Sequence, residues 1–118
     1  MKMRTILFAL CFIVINSAIS YSQEETNTVL FAQCHFSITN ATDMLILEEN
    51  IKALPNSTLV RLDFNSQRAF ILTKGIDSLT AMEFSSWFEN YSETVSCVQI
   101  GIKGIDEIAK YPFENCNN

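Results

Sequence analysis

The sequence predicts an α+β protein in which a four-stranded antiparallel sheet carries two helices on one face. Four short stretches alternate between apolar and polar residues, as half-buried strands do. Two other stretches repeat apolar residues every three or four positions, which is typical of amphipathic helices. These six elements follow one another as strand, helix, strand, strand, helix, strand.

An export signal precedes the first strand. A basic start is followed by the apolar run Ile6–Ile15, and small residues then suit cleavage after Ser20 or Ser22. Because this apolar run is too short to cross a bilayer, the pattern indicates a secretory signal peptide. We therefore assign residues 1–22 to the signal peptide and residues 23–28 to a disordered lead. The mature protein is expected to be secreted or periplasmic, with no membrane insertion after cleavage.

The mature chain is acidic. The whole sequence has 8 basic and 13 acidic residues, and loss of Lys2 and Arg4 with the signal leaves a net charge of −7. A chain without a basic patch cannot neutralise the phosphates of a nucleic acid. Nucleic acid is therefore excluded as a partner.

The first strand begins at Val29. Its apolar positions share one face: Leu30, Ala32, Cys34, Phe36 and Ile38. Phe31, Gln33 and His35 lie on the other face, which stays open unless the C-terminal tail covers it. Cys34 is expected to be a buried thiol of the core.

The first helix follows this strand. Met44, Leu47, Ile51 and Leu54 recur at spacings of three, four and three, which makes one helical stripe. Pro55 ends the helix, since proline disfavours helical geometry at the residue before it.

A hairpin comes next. Val60, Leu62 and Phe64 alternate with charged residues, and the polar turn Asn65–Gln67 leads to a third strand, Arg68–Thr73. The second helix then begins at a cap formed by Asp77 or Ser78. Its apolar stripe is Ala81, Phe84, Phe88 and Tyr91.

The fourth strand contains Val98, Ile100 and Ile102, and a short helical turn is expected from Asp106 to Lys110. Short connections and right-handed crossovers turn this order into a ferredoxin-like βαββαβ sandwich. Across the sheet the strands would follow the order fourth, first, third, second. The domain spans residues 29–105, and residues 106–118 form a C-terminal tail.

Two segments make the sequence similar to the heavy-metal-associated domain of copper chaperones and metal-pumping ATPases. "LEENIKALPNSTLVRLDF" resembles the end of that family's first helix, its Leu-Pro corner and its second strand. "RAFILTKGIDSLTAMEFSSWFENYS" resembles its third strand and second helix. The resemblance runs from Val29 to Ile102 and implies the same fold.

The family binds metal through a Cys-x-x-Cys pair at the start of the first helix. Counted back from Leu54, these positions are Asn40 and Asp43, and neither is cysteine. An amide and one carboxylate do not suit Cu(I) or Zn(II) as two thiolates do. Asn40 and Asp43 instead suit a helix cap, in which Asn40 accepts a bond from the first turn and Asp43 bonds back. The resemblance therefore carries over no metal ligand.

Three cysteines remain after export, and several arrangements of them stay open, including one in which they stay unpaired. A Cys97–Cys116 disulfide would pin the tail to the sheet. Alternatively His35, Cys97 and Cys116 converge on the open face as a relocated copper or zinc site. The spacing of cysteines does not decide between these alternatives.

No enzymatic activity is expected, because the chain has one histidine and only 3 glycines, with no nucleophile arrangement or phosphate loop. The sequence instead favours an exported, non-enzymatic binding or adaptor module. An unknown protein partner would contact its open sheet face or its strand edges. The alternative is a metal-binding protein that uses the relocated site.

Overall fold

The computed structural model describes residues 28–114 and 116. The predicted signal peptide, and all of the predicted lead except Thr28, lie outside these residues. The described elements are β1 (Val29–His35), α1 (Ala41–Lys52), β2 (Ser57–Asp63), β3 (Arg68–Lys74), α2 (Ala81–Ser86), a 3₁₀ helix (Glu89–Thr94) and β4 (Ser96–Ile102).

The four strands form one antiparallel sheet in the order β2-β3-β1-β4. This α+β class and this strand order confirm the prediction. Strand β1 lies inside the sheet between β3 and β4, and its five central residues are buried. A strand buried on both faces needs cover on each side, and the two faces are covered differently.

Both helices contribute to one hydrophobic core on the first face of the sheet. Their buried side chains are Met44, Leu47 and Ile51 from α1 and Phe84 from α2. They belong to the same cluster as these residues of the strands and loops: Ala32, Cys34, Phe36, Ile38, Val60, Leu62, Ala69, Ile71 and Phe88. The predicted apolar stripes therefore pack into this core, except for Ala81, which is exposed.

The second helix is shorter than predicted. It begins at Thr80, whose Oγ1 accepts a hydrogen bond from Glu83 N at 3.1 Å, and not at Asp77 or Ser78. The predicted stripe includes Phe88 and Tyr91, which lie beyond the end of α2 at Ser86. Glu89, between these two residues, has a φ of 52°, a value that an α-helix does not allow. The chain therefore continues to Tyr91 as a 3₁₀ helix.

The predicted helical turn from Asp106 to Lys110 is wrong. The chain turns at residues 103–106, where Asp106 N donates to Ile102 O and Asp106 Oδ2 accepts from Ile102 N at 2.7 Å. Residues 107–110 have no helical structure. Side chains of the sheet form hydrogen bonds with backbone groups of this segment. These groups are therefore satisfied without the backbone hydrogen bonds of a helix.

The C-terminal tail covers the second face of the sheet over β1 and β4. Phe31 and Gln33 point to this face and are 0% exposed. A Cβ atom at Gly101 would lie 2.8 Å from Phe31 Cζ and 2.9 Å from Asp106 Cβ, so only glycine fits between ring and tail. The expectation of an open face at Phe31 and Gln33 is therefore wrong.

Buried Cys34 has an unusually high pKa. Desolvation by burial raises the pKa of its thiol from 9.0 to about 12, against a smaller lowering by a backbone hydrogen bond of Ala69. Since the pKa is higher in the folded state, the unfolded chain loses this proton first as pH rises. The stability gained by burying the protonated thiol is therefore fully present below pH 9. It is lost progressively as the pH rises from 9 to about 12.

We expect the Cys34 thiol to be unreactive in the folded protein. With Ellman's reagent at pH 8, the oxidised mature chain should react only as fast as it opens, because the buried thiol stays protonated. The same sample in denaturing urea should release one thiol per chain. Rapid titration of one thiol in the native protein would contradict this placement of Cys34.

Candidate functional site

Asn40 caps the first helix, as predicted. Its backbone is extended, with φ −104° and ψ 115°, and its Oδ1 accepts hydrogen bonds from Thr42 N at 2.9 Å and Asp43 N at 3.2 Å. A cap of this kind contributes about 1 kcal/mol to stability. Asn40 at the start of α1 is thus engaged in helix capping.

Asp43 has a different partner from the one predicted. Its Oδ2 accepts a hydrogen bond from the Tyr91 hydroxyl at 2.7 Å, in place of the predicted bond back to the Asn40 backbone. This hydrogen bond, then burial and the charge of the carboxylate, raise the pKa of Tyr91. Because Tyr91 belongs to the 3₁₀ helix, the bond joins that segment to the start of α1.

The predicted Cys97–Cys116 disulfide is present, with its two Cα atoms 5.0 Å apart. It attaches the tail to the edge strand β4 at a β-bulge, where the register with β1 shifts and Cys97 has a φ of 55°. The disulfide takes up both sulfur atoms that a relocated copper or zinc site would need as thiolates. His35 lies opposite Ser96, one residue from the bridge.

No group of three or more His, Cys, Asp or Glu side chains within residues 28–114 and 116 is arranged to hold a metal ion. The site residues predicted from sequence therefore fall into two separate places. Asn40 and Asp43 lie at the start of α1, whereas the disulfide joins Cys97 in β4 to Cys116 in the tail.

Two glutamines that the sequence analysis missed hold the tail on the sheet. Gln33 Nε2 donates to Gln99 Oε1 at 2.7 Å and to Ala109 O at 2.9 Å. Gln99 Oε1 also accepts from Ala109 N at 2.9 Å, and Gln99 Nε2 donates to Glu107 O at 2.8 Å. Side-chain amides thus bind the tail's backbone as a neighbouring strand would.

No local pattern in the sequence predicted this pair. Gln33 and Gln99 are directly opposite each other in the β1–β4 register. Alternation alone assigned Gln33 to solvent, since it says nothing of a later segment that covers the face.

Arg68 extends this network toward β2. Its Nη2 donates to Gln33 Oε1 at 3.2 Å, and its guanidinium carbon lies 5.8 Å from the centre of the Phe113 ring of the tail. Its Nε is buried and has no hydrogen-bond partner among the described residues. The tail and Gln33 therefore hold this guanidinium in one orientation.

A groove of about 300 Å³ lies on the part of the second face formed by β2 and β3. It is lined by Arg61, Asp63, Ser66, Arg68 and Phe70. Phe70 stacks nearly parallel to buried Phe31, with ring centres 6.4 Å apart. One side of this groove is therefore continuous with the aromatic packing under the tail.

Asp63 is the acidic group of the groove. Ser66 Oγ donates to its Oδ2 at 2.6 Å and Asn65 N donates to its Oδ1 at 3.2 Å. The Ser66 bond is the largest cause that lowers the pKa of Asp63, and Arg68 adds a smaller electrostatic effect. At neutral pH this carboxylate is ionised and is a weak base.

Comparisons with protein-family models, curated proteins and solved structures found no match. None of the helices in the described part of the chain is long and apolar enough to span a bilayer.

Proposed function

We propose that this protein is an exported, non-enzymatic binding or adaptor module, secreted or periplasmic. Its fold is ferredoxin-like and resembles a heavy-metal-associated domain that lacks the metal motif. The strand order β2-β3-β1-β4 and the single core shared by both helices support this fold. The cap at Asn40 and the Asp43–Tyr91 bond support the loss of metal binding at the helix start.

The observation that carries the proposal is the groove beside the tail. It combines two arginines with a half-buried aromatic ring, which is a common composition of protein-binding surfaces. Its one carboxylate, Asp63, has a lowered pKa and already accepts two hydrogen bonds, so it is poorly suited to act as a general base. The chemistry of the groove therefore favours binding over catalysis.

Site-specific photo-crosslinking in cells that produce the protein tests this function. A photoreactive phenylalanine at Asn65, an exposed residue of the turn beside the groove, should yield one discrete crosslinked protein. The matched control is the same residue at Met82, which is 84% exposed on α2. We expect no such product there, and we expect Arg61→Gln to weaken the product formed from Asn65.

Identical products from both positions, or none from Asn65, would contradict a binding function at the groove. Metal analysis of the oxidised mature protein is a second check. Stoichiometric copper or zinc that is lost in His35→Ala would contradict the non-metal assignment and favour a metal-binding protein.

A further inference from the structure

We propose that the groove binds an extended acidic segment of a protein partner, with two carboxylates two residues apart contacting Arg61 and Arg68. This inference rests on the proposed function and specifies the chemistry of the partner. The ring of Phe70, which forms part of the groove, would be the apolar group that lies beside the two carboxylates of the partner.

The charges of the groove are the first argument. The chain is acidic overall, yet two of its 8 basic residues line this one groove. Neither arginine forms a salt bridge with another residue of the described chain, whereas Lys52 on α1 pairs with Glu48 and Glu49. Asp63 offsets one of the two positive charges, which leaves the groove with a net positive charge in an otherwise negative protein.

Arg68 is also held in place before any ligand arrives. An arginine has five N–H donors, and the described contacts of Arg68 use only the bond to Gln33. Gln33 and Phe113 orient the guanidinium, which lowers the entropic cost of binding, and because Nε is buried the donors left for a ligand are those of the two Nη atoms. Carboxylate is the acceptor that this fork geometry fits best.

The spacing of the two arginines also fits an extended segment with two carboxylates. Arg61 lies directly across from Phe70, and Asp63 lies directly across from Arg68, all on one face of the hairpin. Arg61 and Arg68 are therefore diagonal neighbours, a relationship that places Cβ atoms about 7 Å apart. In an extended peptide, residues i and i+2 point to the same side and are also about 7 Å apart. The two spacings match.

The test uses short blocked peptides as probes and the mature protein with its disulfide intact. The probe contains Glu-Val-Glu between serine and threonine residues, and the control probes carry Gln-Val-Gln or Glu-Glu-Val in the same frame. Binding is measured by calorimetry and mapped by NMR chemical shifts. We expect Glu-Val-Glu to shift the signals of Arg61, Arg68 and Phe70, and we expect both control probes to bind at least about tenfold more weakly.

A matched pair of protein variants separates groove chemistry from general charge. Arg61→Gln and Lys74→Gln each remove one positive charge, but Lys74 lies at the other end of β3, outside the groove. Arg61→Gln should weaken binding about tenfold and Lys74→Gln should change it little. Equal losses in the two variants, equal binding of Gln-Val-Gln, or shifts mapped outside the groove would each overturn the proposal.

Failure of this inference is distinguishable from failure of the proposed function. If no acidic peptide binds while the photoreactive residue at Asn65 still captures one partner, the binding function stands and the carboxylate chemistry is wrong. If both experiments are negative, both proposals are wrong.

Discussion

Replacing Cys116 with serine is expected to lower the free energy of unfolding by about 3 kcal/mol. The Cys97–Cys116 bridge has a sequence separation of 19, and a closed loop of that size restricts the unfolded chain by about this amount. Cys116 is the better position to change, because Cys97 lies at the bulge and has a positive φ. Urea denaturation of the mature protein, followed by tryptophan fluorescence, measures the effect.

The control for this variant is the parent protein in reductant. Reduction should lower the stability of the parent to that of Cys116→Ser, and the same reductant should leave the variant unchanged. Hydrogen exchange adds a local readout, since Ala109 N–H is bonded to Gln99 and should lose protection when the tail is released. Equal stability of the parent and Cys116→Ser would show that the bridge does not hold the tail.

The Gln33→Leu substitution is expected to lower the free energy of unfolding by about 2 to 3 kcal/mol. Leucine fills much of the same volume but donates and accepts no hydrogen bond. Ala109 O and Arg68 Nη2 would then lose their Gln33 partners in a part-buried setting, and such losses cost about 1 to 3 kcal/mol each before relaxation. Urea denaturation again measures the change.

A double-mutant cycle with Cys116→Ser tests the reason for this cost. If Gln33 stabilises the protein by holding the tail, its replacement should cost less once the bridge is absent, and the two changes should be non-additive by at least about 0.5 kcal/mol. If the effects of the two substitutions were strictly additive, Gln33 would stabilise the sheet without holding the tail.

These two predictions also bear on the proposed binding site. Gln33 and Phe113 both contact Arg68, so release of the tail would free the guanidinium that lines the groove. The disulfide and the groove are thus linked through the tail. The disulfide holds the tail on the sheet, and the tail residue Phe113 contacts Arg68 of the groove. Peptide binding should therefore weaken in Gln33→Leu even though residue 33 does not line the groove.

Sequence patterns alone were enough to predict the strands, the first helix and the strand order. These features depend on local periodicity, on Pro55 and on the short connections, all of which are readable along the chain. The sequence also predicted the cap at Asn40, and it offered the Cys97–Cys116 pair as one of several open arrangements. The second helix was only partly readable, because its stripe continues through the break at Glu89.

Only the tertiary structure decided what covers the second face of the sheet. Gln33 and Gln99 are 66 residues apart, and alternation places both on a face that a strand pattern marks as solvent-exposed. The tail that buries them has no periodicity of its own, because its backbone groups bond to side chains of the sheet. The arginine groove follows from the same packing, since Arg68 is oriented by Gln33 and by the tail. Contacts made between distant, individually unremarkable polar residues leave no local pattern, and so the fold could be read from the chain while the candidate site could not.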